Sequence, residues 1–308
     1  MFKKFFRDHH IHKEIVPFLD LLMISSPVVF FVVWPLLSIG ILIYFLSIDM
    51  VYVNIYSVGT KTVLLFVGSS LFVAGVSAIN SINLRKEQGE DSNRYLAVNS
   101  RISISLSQNF SYTLLAIGFI ILFYLSYKIV ISMFILAVFL GVLYGHSNFK
   151  WRSKPINTLL CYIASAYSLI LTGYLFGYIY LGEENISFLN SFFTSLPYQL
   201  AYILLSLSII VVIVSNDKDG QNHFNKRHMI YLALILFILS FLIGMKFLDP
   251  LLSTLSLSCV PFILYACLRG MEKDFTRVIT YSVLFLNLYI FTIHPFLFFP
   301  SLIVYYLS

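Results

Sequence analysis

Residues 26–47 have the sequence SPVVFFVVWPLLSIGILIYFLS, which contains no charged side chain. A helix needs about 20 apolar residues to cross the hydrocarbon core of a bilayer. Backbone N–H and C=O groups have no water partner in lipid, so the chain must pair them within itself, as a helix does. This stretch therefore predicts a transmembrane helix.

Eight further apolar blocks follow along the chain of 308 residues, which is 59% hydrophobic and only 11% charged. So few charges could not cover the surface of a soluble domain of this size. The sequence therefore predicts an all-α integral membrane protein with about nine transmembrane helices, forming a single domain over residues 1–308. The predicted spans are 26–47, 62–82, 112–127, 129–145, 158–181, 196–215, 229–247, 250–268 and 278–307. Pro295 and Pro300 predict a kink in the last span.

The distribution of basic residues predicts the orientation of these spans. Seventeen of the 20 Lys and Arg residues lie before the first span or in the loops after the second, fourth, sixth and eighth. Only Lys61, Lys128 and Lys246 lie elsewhere. Because cytoplasmic loops are enriched in Lys and Arg, the N-terminus and these loops are predicted to face the cytoplasm. We expect residence in the cytoplasmic (inner) membrane.

The cysteines, the net charge and the spread of basic residues limit the kinds of partner that the protein could bind. Cys161, Cys259 and Cys267 all lie in apolar blocks, which favours packing over a disulfide or metal role. The net charge of +6 suits a surface of anionic membrane lipid. The basic residues are spread over several loops and form no continuous tract, so we expect no nucleic-acid partner.

The loop after the second span carries the first group of candidate ligands. If the helix continues into it, Asn83, Glu87 and Asp91 are spaced at i, i+4 and i+8 and share one face. Side-chain oxygens are the ligands that Mg²⁺ prefers, usually together with water and substrate phosphates. The same pattern is also typical of a solvated helix end with exposed ion pairs.

The loop after the sixth span carries a second group. Asp217 and Asp219 lie at the membrane edge and are followed by Lys226 and Arg227. Two carboxylates and two cations could bind a metal–phosphate group. An Asn/Asp/Gly-rich turn between two spans is the alternative interpretation.

The loop after the fourth span is basic. Lys150, Arg152 and Lys154 alternate along it and would point the same way if the segment were extended. Such a row suits an anionic head group or a diphosphate. Topological anchoring beside an interfacial Trp151 is equally compatible with the pattern.

Together the three loops resemble the UbiA superfamily of intramembrane prenyltransferases over nearly the whole chain. That family has nine transmembrane helices, an N-D-x-x-D-x-x-x-D motif after the second and a D-x-x-x-D motif after the sixth. In one register Asn80 takes the place of the first motif's Asn, and Leu84 and Gln88 stand at its Asp positions. In the other register Asn83, Glu87 and Asp91 keep three oxygen ligands. The segments that carry the rest of the resemblance are Asn93-Arg94, Arg101-Ile-Ser103, Leu143-Tyr144 through Pro155, Gly173-Tyr174 through Tyr178, and Asp217 through Gln221.

The resemblance implies Mg²⁺ as cofactor, and a polyprenyl diphosphate and a lipophilic acceptor as partners within membrane lipid. It implies that Asn83, Glu87, Asp91 and Asp217 contact the metal and diphosphate, with Asn80 and Asp219 next. The basic residues that it implies for the diphosphate are Arg94, Lys150, Arg152, Lys154, Lys226 and Arg227. The expected reaction is transfer of the polyprenyl group to an aromatic, quinone-precursor or isoprenoid-lipid acceptor.

Three alternatives stay open. A member of this type could cyclise the prenyl cation without an acceptor. The incomplete Asp motifs are compatible with a protein that binds an isoprenoid lipid without catalysis. A transporter would be expected to show inverted repeats and polar residues at the bilayer midplane. The centres of these spans are almost free of charge, which counts against that class.

Overall fold

The computed structural model describes residues 21, 30–48, 55–88, 103–146, 149, 151–180, 187–216, 226–247, 249–269 and 272–290. These residues form nine α-helices and no strand, so the predicted fold class is confirmed. The helices are α1 (Phe30–Ile48), α2 (Ile55–Gln88), α3 (Ile104–Leu125), α4 (Tyr127–Leu136), α5 (Pro155–Tyr180), α6 (Phe188–Asn216), α7 (Lys226–Lys246), α8 (Pro250–Arg269) and α9 (Glu272–Leu288). A π-helix, Ala137–Tyr144, continues α4, and a 3₁₀ turn, Trp151–Ser153, precedes α5.

The helices α1 to α8, with α4 taken together with the π-helix that continues it, are long and apolar enough to cross a membrane. The protein is therefore an integral, multi-pass membrane protein. The described part of the ninth helix has 17 residues, and the predicted continuation with Pro295 and Pro300 lies outside the described residues. The predicted starts were least accurate at α3 and α6, which begin at Ile104 and Phe188 and not at residues 112 and 196. At α3 the Ser103 hydroxyl accepts the Leu106 N–H at 3.2 Å and caps the first turn.

Helices that follow one another in the chain pack side by side, and α1 packs closely against α5 as well as contacting α6 and α9. The contact between α1 and α5 is nearly backbone to backbone. A Cβ atom at Gly40 would lie 2.0 Å from the Ile170 carbonyl oxygen, and one at Gly173 would lie 2.0 Å from that of Leu37. Small residues allow such approach, and close packing drives helix association in lipid.

Hydrogen bonds between helices add to this packing. The Trp34 indole N–H of α1 donates to the Ser70 hydroxyl of α2 at 2.7 Å. The Ser132 hydroxyl of α4 lies 2.6 Å from that of Thr172 on α5, with both side chains buried. Such bonds satisfy polar groups that have no water partner within the bilayer.

The end of the bundle where α1 and α5 finish and α6 begins is filled by aromatic side chains. The Tyr44 ring lies 5.5 Å from Tyr174 and 6.2 Å from Tyr178, and the Tyr178 ring lies 5.1 Å from Phe188. The Tyr174 hydroxyl lies 2.7 Å from the Ser191 hydroxyl. This cluster fills the space between α1, α5 and α6 at that end, which is called the closed end below.

A buried carboxylate caps α8 at the closed end. One oxygen of Asp249 accepts the N–H groups of Leu251 and Leu252 at 3.0 and 3.1 Å. The other accepts the Tyr202 hydroxyl of α6 at 2.8 Å. Burial raises the pKa of Asp249 above its ordinary value, although these three donors act in the other direction. The cap ties α6 to α8.

Candidate active site

The C-terminal part of α2 lies against the turn that ends the π-helix. α2 continues to Gln88, which confirms the helical premise of the first motif as far as that residue. Asn80, Asn83 and Glu87 therefore follow one another at i, i+3 and i+7 along one side of α2. The Asn83 amide Nδ2 donates to the Gly145 carbonyl oxygen at 3.1 Å. This bond joins two parts of the chain that are 62 residues apart.

The Asn80 side chain presents an acceptor oxygen at the same corner. Its Oδ1 atom is inaccessible to solvent and accepts no hydrogen bond from the described residues. A Cβ atom at Gly145 would lie only 1.8 Å from this oxygen, so a larger residue there could not leave it in place. A buried acceptor without a donor is costly, and a bound cation is one of the groups that would satisfy it.

The π-helix brings Gly145 to this position. The backbone at Ala137–Tyr144 changes from α to π, which adds residues to the turn and moves the end of α4. This segment packs against both α2 and α5. Single π turns of this kind are frequent at functional sites. The turn closes where the Gly145 N–H donates to the Val142 carbonyl oxygen.

A guanidinium group lies next to this corner. The Arg152 guanidinium carbon lies 5.8 Å from the centroid of the Tyr144 ring, within cation–π range. The Tyr144 hydroxyl accepts a hydrogen bond from the Tyr162 hydroxyl of α5 at 3.1 Å, and the two rings are 5.4 Å apart. Since Tyr144 precedes Gly145, a short path of contacts links Arg152 to the asparagine corner. Tyr162 lies within an apolar span, and no feature of the sequence identified it.

Trp151–Ser153 forms a 3₁₀ turn, so the basic loop is not extended there and the condition for its three cations to point the same way is not met. The Thr158 hydroxyl lies 3.3 and 3.2 Å from the carbonyl oxygens of Trp151 and Arg152 and holds the turn closed. Pro155 then starts α5 with a backbone already suited to a helix. As a result the Arg152 guanidinium is partly buried, whereas Lys154 is exposed. Lys150 lies outside the described residues.

The other predicted site residues are only partly placed. The backbone of Glu87 lies in the last turn of α2, and those of Lys226 and Arg227 lie in the first turn of α7. Because consecutive helices run in opposite directions, the ends of α2, α4 and α6 and the start of α7 lie at one end of the bundle. Within the described residues no three His, Cys, Asp or Glu side chains gather as a metal site. The predicted residues that lie outside the described part of the chain are Asp91, Arg94, Asp217 and Asp219.

A polar network lies deeper between α5 and α6. The Tyr167 hydroxyl donates to Gln199 Oε1 at 3.0 Å, and Gln199 Nε2 donates to the Ser195 hydroxyl at 2.7 Å. Next to it is a narrow, mostly apolar crevice between α5 and α6 that is too tight to admit a water molecule. Ile163 and Ile210 line the part of the crevice nearer the asparagine corner. The sequence feature that could have indicated this network is Gln199, an amide side chain within an apolar span.

Comparison with known proteins identifies the fold. No protein-family model matches the sequence. Two forms of 2-acylphloroglucinol 4-prenyltransferase from Humulus lupulus, one of them chloroplastic, are each 26% identical over 144 residues. That alignment covers 45% of this chain and 34% of each relative, so the chain spans about a third of the length of the curated relatives it matches.

Solved structures superpose on this protein over a much larger part of the chain than the curated relatives match. Digeranylgeranylglyceryl phosphate synthase superposes with a TM-score of 0.56 at 16% identity, over 91% of this chain and 96% of that one. A UbiA homologue from Archaeoglobus fulgidus bound to GPP and Mg²⁺ gives 0.56 at 14% identity, over 88% and 99%. The same homologue with DMAPP and Mg²⁺ gives 0.54 at 14% identity, over 89% and 99%. The chain therefore has the UbiA fold, as the resemblance in its loops predicted.

Proposed function

We propose that this protein is a membrane prenyltransferase of the UbiA type. It transfers a polyprenyl group from its diphosphate to an aromatic, quinone-precursor or isoprenoid-lipid acceptor, with Mg²⁺, using residues 1–308 as one domain. The observation that carries the proposal is the buried Asn80 oxygen without a donor, at the end of the bundle where the acidic and basic loops begin. The shared fold with a homologue whose structure contains GPP and Mg²⁺ supports it.

The residues at this corner suit a magnesium ion. Mg²⁺ takes oxygen ligands and is usually held by one or two protein groups together with water and substrate phosphates. Asn80 offers an amide oxygen, and Glu87 occupies the same side of α2 two turns later. We propose that Asn83, Glu87, Asp91, Asp217 and Asp219 complete the protein contacts to metal and diphosphate. When bound, Mg²⁺ stabilises negative charge on the departing diphosphate.

The basic residues would stabilise the same leaving group. Ionisation breaks the bond between the allylic carbon and the diphosphate oxygen, and the diphosphate keeps the electron pair. Arg152 is held near the corner by Tyr144, so its charge needs no rearrangement as the anion develops. We propose that Arg94, Lys150, Lys154, Lys226 and Arg227 add charge from the loops on the cytoplasmic side.

We propose that the prenyl chain lies along the mostly apolar surfaces of α5 and α6, where the crevice lined by Ile163 and Ile210 would have to widen to admit it. Gln199 below the crevice already has its polar atoms paired with Tyr167 and Ser195. Exclusion of water protects the cation until the acceptor attacks.

The proposal is tested by pyrophosphate release from a panel of prenyl diphosphates, using detergent-purified protein. We expect release that requires Mg²⁺ and is lost in the variant Glu87→Ala, Asp91→Ala, Asp217→Ala. The matched control removes three carboxylates from the segments that follow α1 and α5, as Asp49→Ala, Glu183→Ala, Glu184→Ala, and should keep the wild-type rate. Loss of release in both variants, or in neither, would contradict the assignment of the site.

One observation favours a second candidate. Leu84 and Gln88 replace acidic residues in one register of the first motif, and Gln221 replaces the last Asp of the second. A protein that binds an isoprenoid lipid without ionising it would bind prenyl diphosphate yet release no pyrophosphate, with or without acceptor. A cyclase would instead release pyrophosphate and give a terpene when no acceptor is present.

A further inference from the structure

The corner between α8 and α9 contains two arginines that share one buried carboxylate. The Asp274 side chain is only 2% exposed. Its Oδ1 atom accepts a hydrogen bond from Arg277 Nη1 at 3.3 Å, and its Oδ2 atom lies 3.7 Å from Arg269 Nε. Arg269 also donates to the Tyr265 hydroxyl, one turn earlier in α8. Both guanidinium groups are thus held in fixed positions.

The two arginines have more donors than this carboxylate can use. Each guanidinium has five N–H groups, and one carboxylate accepts only a few hydrogen bonds. The Arg269 and Arg277 side chains remain 46% and 56% exposed. Residues 269–277 contain three basic and two acidic side chains, including the exposed Lys273, so the corner stays positive. A second anion could therefore bind on the outer side.

Exposed apolar side chains lead along both helices to these arginines. On α8 these side chains are spaced seven and then four residues apart, and the last one precedes Arg269 directly. On α9 the first one lies four residues after Arg277, and the next two follow after three and four residues. Such spacings place each set on one helix face. The exposed residues are Leu257 (54%), Leu264 (44%), Leu268 (89%), Tyr281 (38%), Leu284 (56%) and Leu288 (48%). The rings of Phe262 and Tyr281, 4.9 Å apart, join the two helices.

We propose that this corner binds the phosphate of an anionic phospholipid, with the acyl chains lying along the exposed apolar faces of α8 and α9. Guanidinium groups pair with phosphate through two parallel hydrogen bonds, and fixing them beforehand reduces the entropy lost on binding. The corner lies at the same end of the bundle as Asn80. Basic groups at the cytoplasmic ends of transmembrane helices commonly bind anionic lipids.

Native mass spectrometry of the detergent-purified protein tests this, with phosphatidylglycerol and phosphatidylcholine added separately. We expect phosphatidylglycerol to bind more tightly than phosphatidylcholine. The variant Arg269→Gln, Arg277→Gln should bind phosphatidylglycerol about 30-fold more weakly, since each basic residue near a membrane surface contributes about a factor of five. Equal binding of the two lipids by the wild-type protein would overturn the proposal.

Two controls separate lipid binding from a purely structural ion pair. The variant Lys128→Gln, Lys246→Gln removes the same charge from exposed residues at the opposite end and should bind phosphatidylglycerol like the wild-type protein. The variant Arg269→Lys, Arg277→Lys keeps the charge and the pairing with Asp274, and should bind at an intermediate level. An unchanged lipid affinity in the folded double Gln variant would refute the site. Displacement of the lipid by an equal concentration of glycerol phosphate would refute the role of the acyl chains.

Discussion

Replacing Gly145 by Ala should move the Asn80 oxygen without unfolding the protein. The new Cβ would lie 1.8 Å from Asn80 Oδ1, whereas a carbon and an oxygen in contact need about 3.2 Å, so this oxygen must move by about 1.4 Å. The Cβ would also lie 2.7 Å from Asn80 Cγ and 2.9 Å from the Gly141 carbonyl oxygen, so the amide and the turn must both adjust, at a cost in folding free energy of about 1–3 kcal/mol. A displacement of 1 Å in a catalytic site typically lowers the rate about 100-fold.

The assay is the rate of Mg²⁺-dependent pyrophosphate release, measured together with the thermal midpoint. Gly141→Ala is the matched control on the same π-helix, because its Cβ would meet only the Val76 side chain at 3.5 Å, an ordinary contact. We expect Gly145→Ala to lose about two orders of magnitude in rate with a small change in midpoint, and Gly141→Ala to change neither. A wild-type rate in Gly145→Ala would refute the placement of the site at this corner.

The remaining predictions concern packing, charge and orientation of side chains. Gly173→Ala should destabilise the fold by ~3 kcal/mol, because its Cβ would lie 2.0 Å from the Leu37 carbonyl oxygen and α1 and α5 would have to separate. In the control Gly59→Ala the new Cβ would meet no atom within 4 Å, so the thermal midpoint should not change measurably. Asp249→Asn should remove a pH dependence of the folding free energy. Because burial raises the pKa of Asp249 in the folded state, the carboxyl stabilises the fold most below its unfolded pKa and loses that contribution as pH rises through the folded pKa. The wild type should therefore lose stability relative to the Asp249→Asn variant from about pH 4 upward. Tyr162→Phe should lower the rate of pyrophosphate release about 10-fold, because it removes the hydrogen bond that the Tyr162 hydroxyl donates to the Tyr144 hydroxyl. A fall in midpoint with an unchanged rate would show that this bond serves the fold alone.

Most of the fold could be predicted because lipid imposes a simple rule on the sequence. Apolar blocks must form helices, so the predicted helices and their order match the nine helices of the described residues, eight of which are candidate membrane spans. Errors occurred where helices extend beyond the apolar blocks. α3 starts eight residues earlier than predicted, since Ser103 caps its first turn and the mixed polar and apolar residues before Tyr112 are helical. α2 likewise continues to Gln88 through a charged segment.

The site was less predictable because its contacts join distant parts of the chain. Spacing predicted that Asn83, Glu87 and Asp91 share one face of a continued α2, but nothing in it indicated that Gly145 would meet Asn83 across 62 residues. A π-helix has no simple sequence signature, and it is the π-helix that sets the position of Gly145. The alternation of basic residues around Arg152 did not indicate the conformation of this segment, in which a hydrogen bond from the downstream Thr158 hydroxyl accompanies a 3₁₀ turn.

The most direct test of the account is a Mg²⁺ titration of pyrophosphate release by the wild-type protein and by Asn80→Ala. If Asn80 Oδ1 binds the metal, the concentration of Mg²⁺ needed for half-maximal release should rise by about 10-fold or more in the variant, as expected when a metal site loses a supporting group. Asn80→Asp, which keeps an oxygen at the same position, should restore the requirement to near the wild-type value. An identical Mg²⁺ dependence in Asn80→Ala and wild type would contradict the claim that this corner is the metal and diphosphate site.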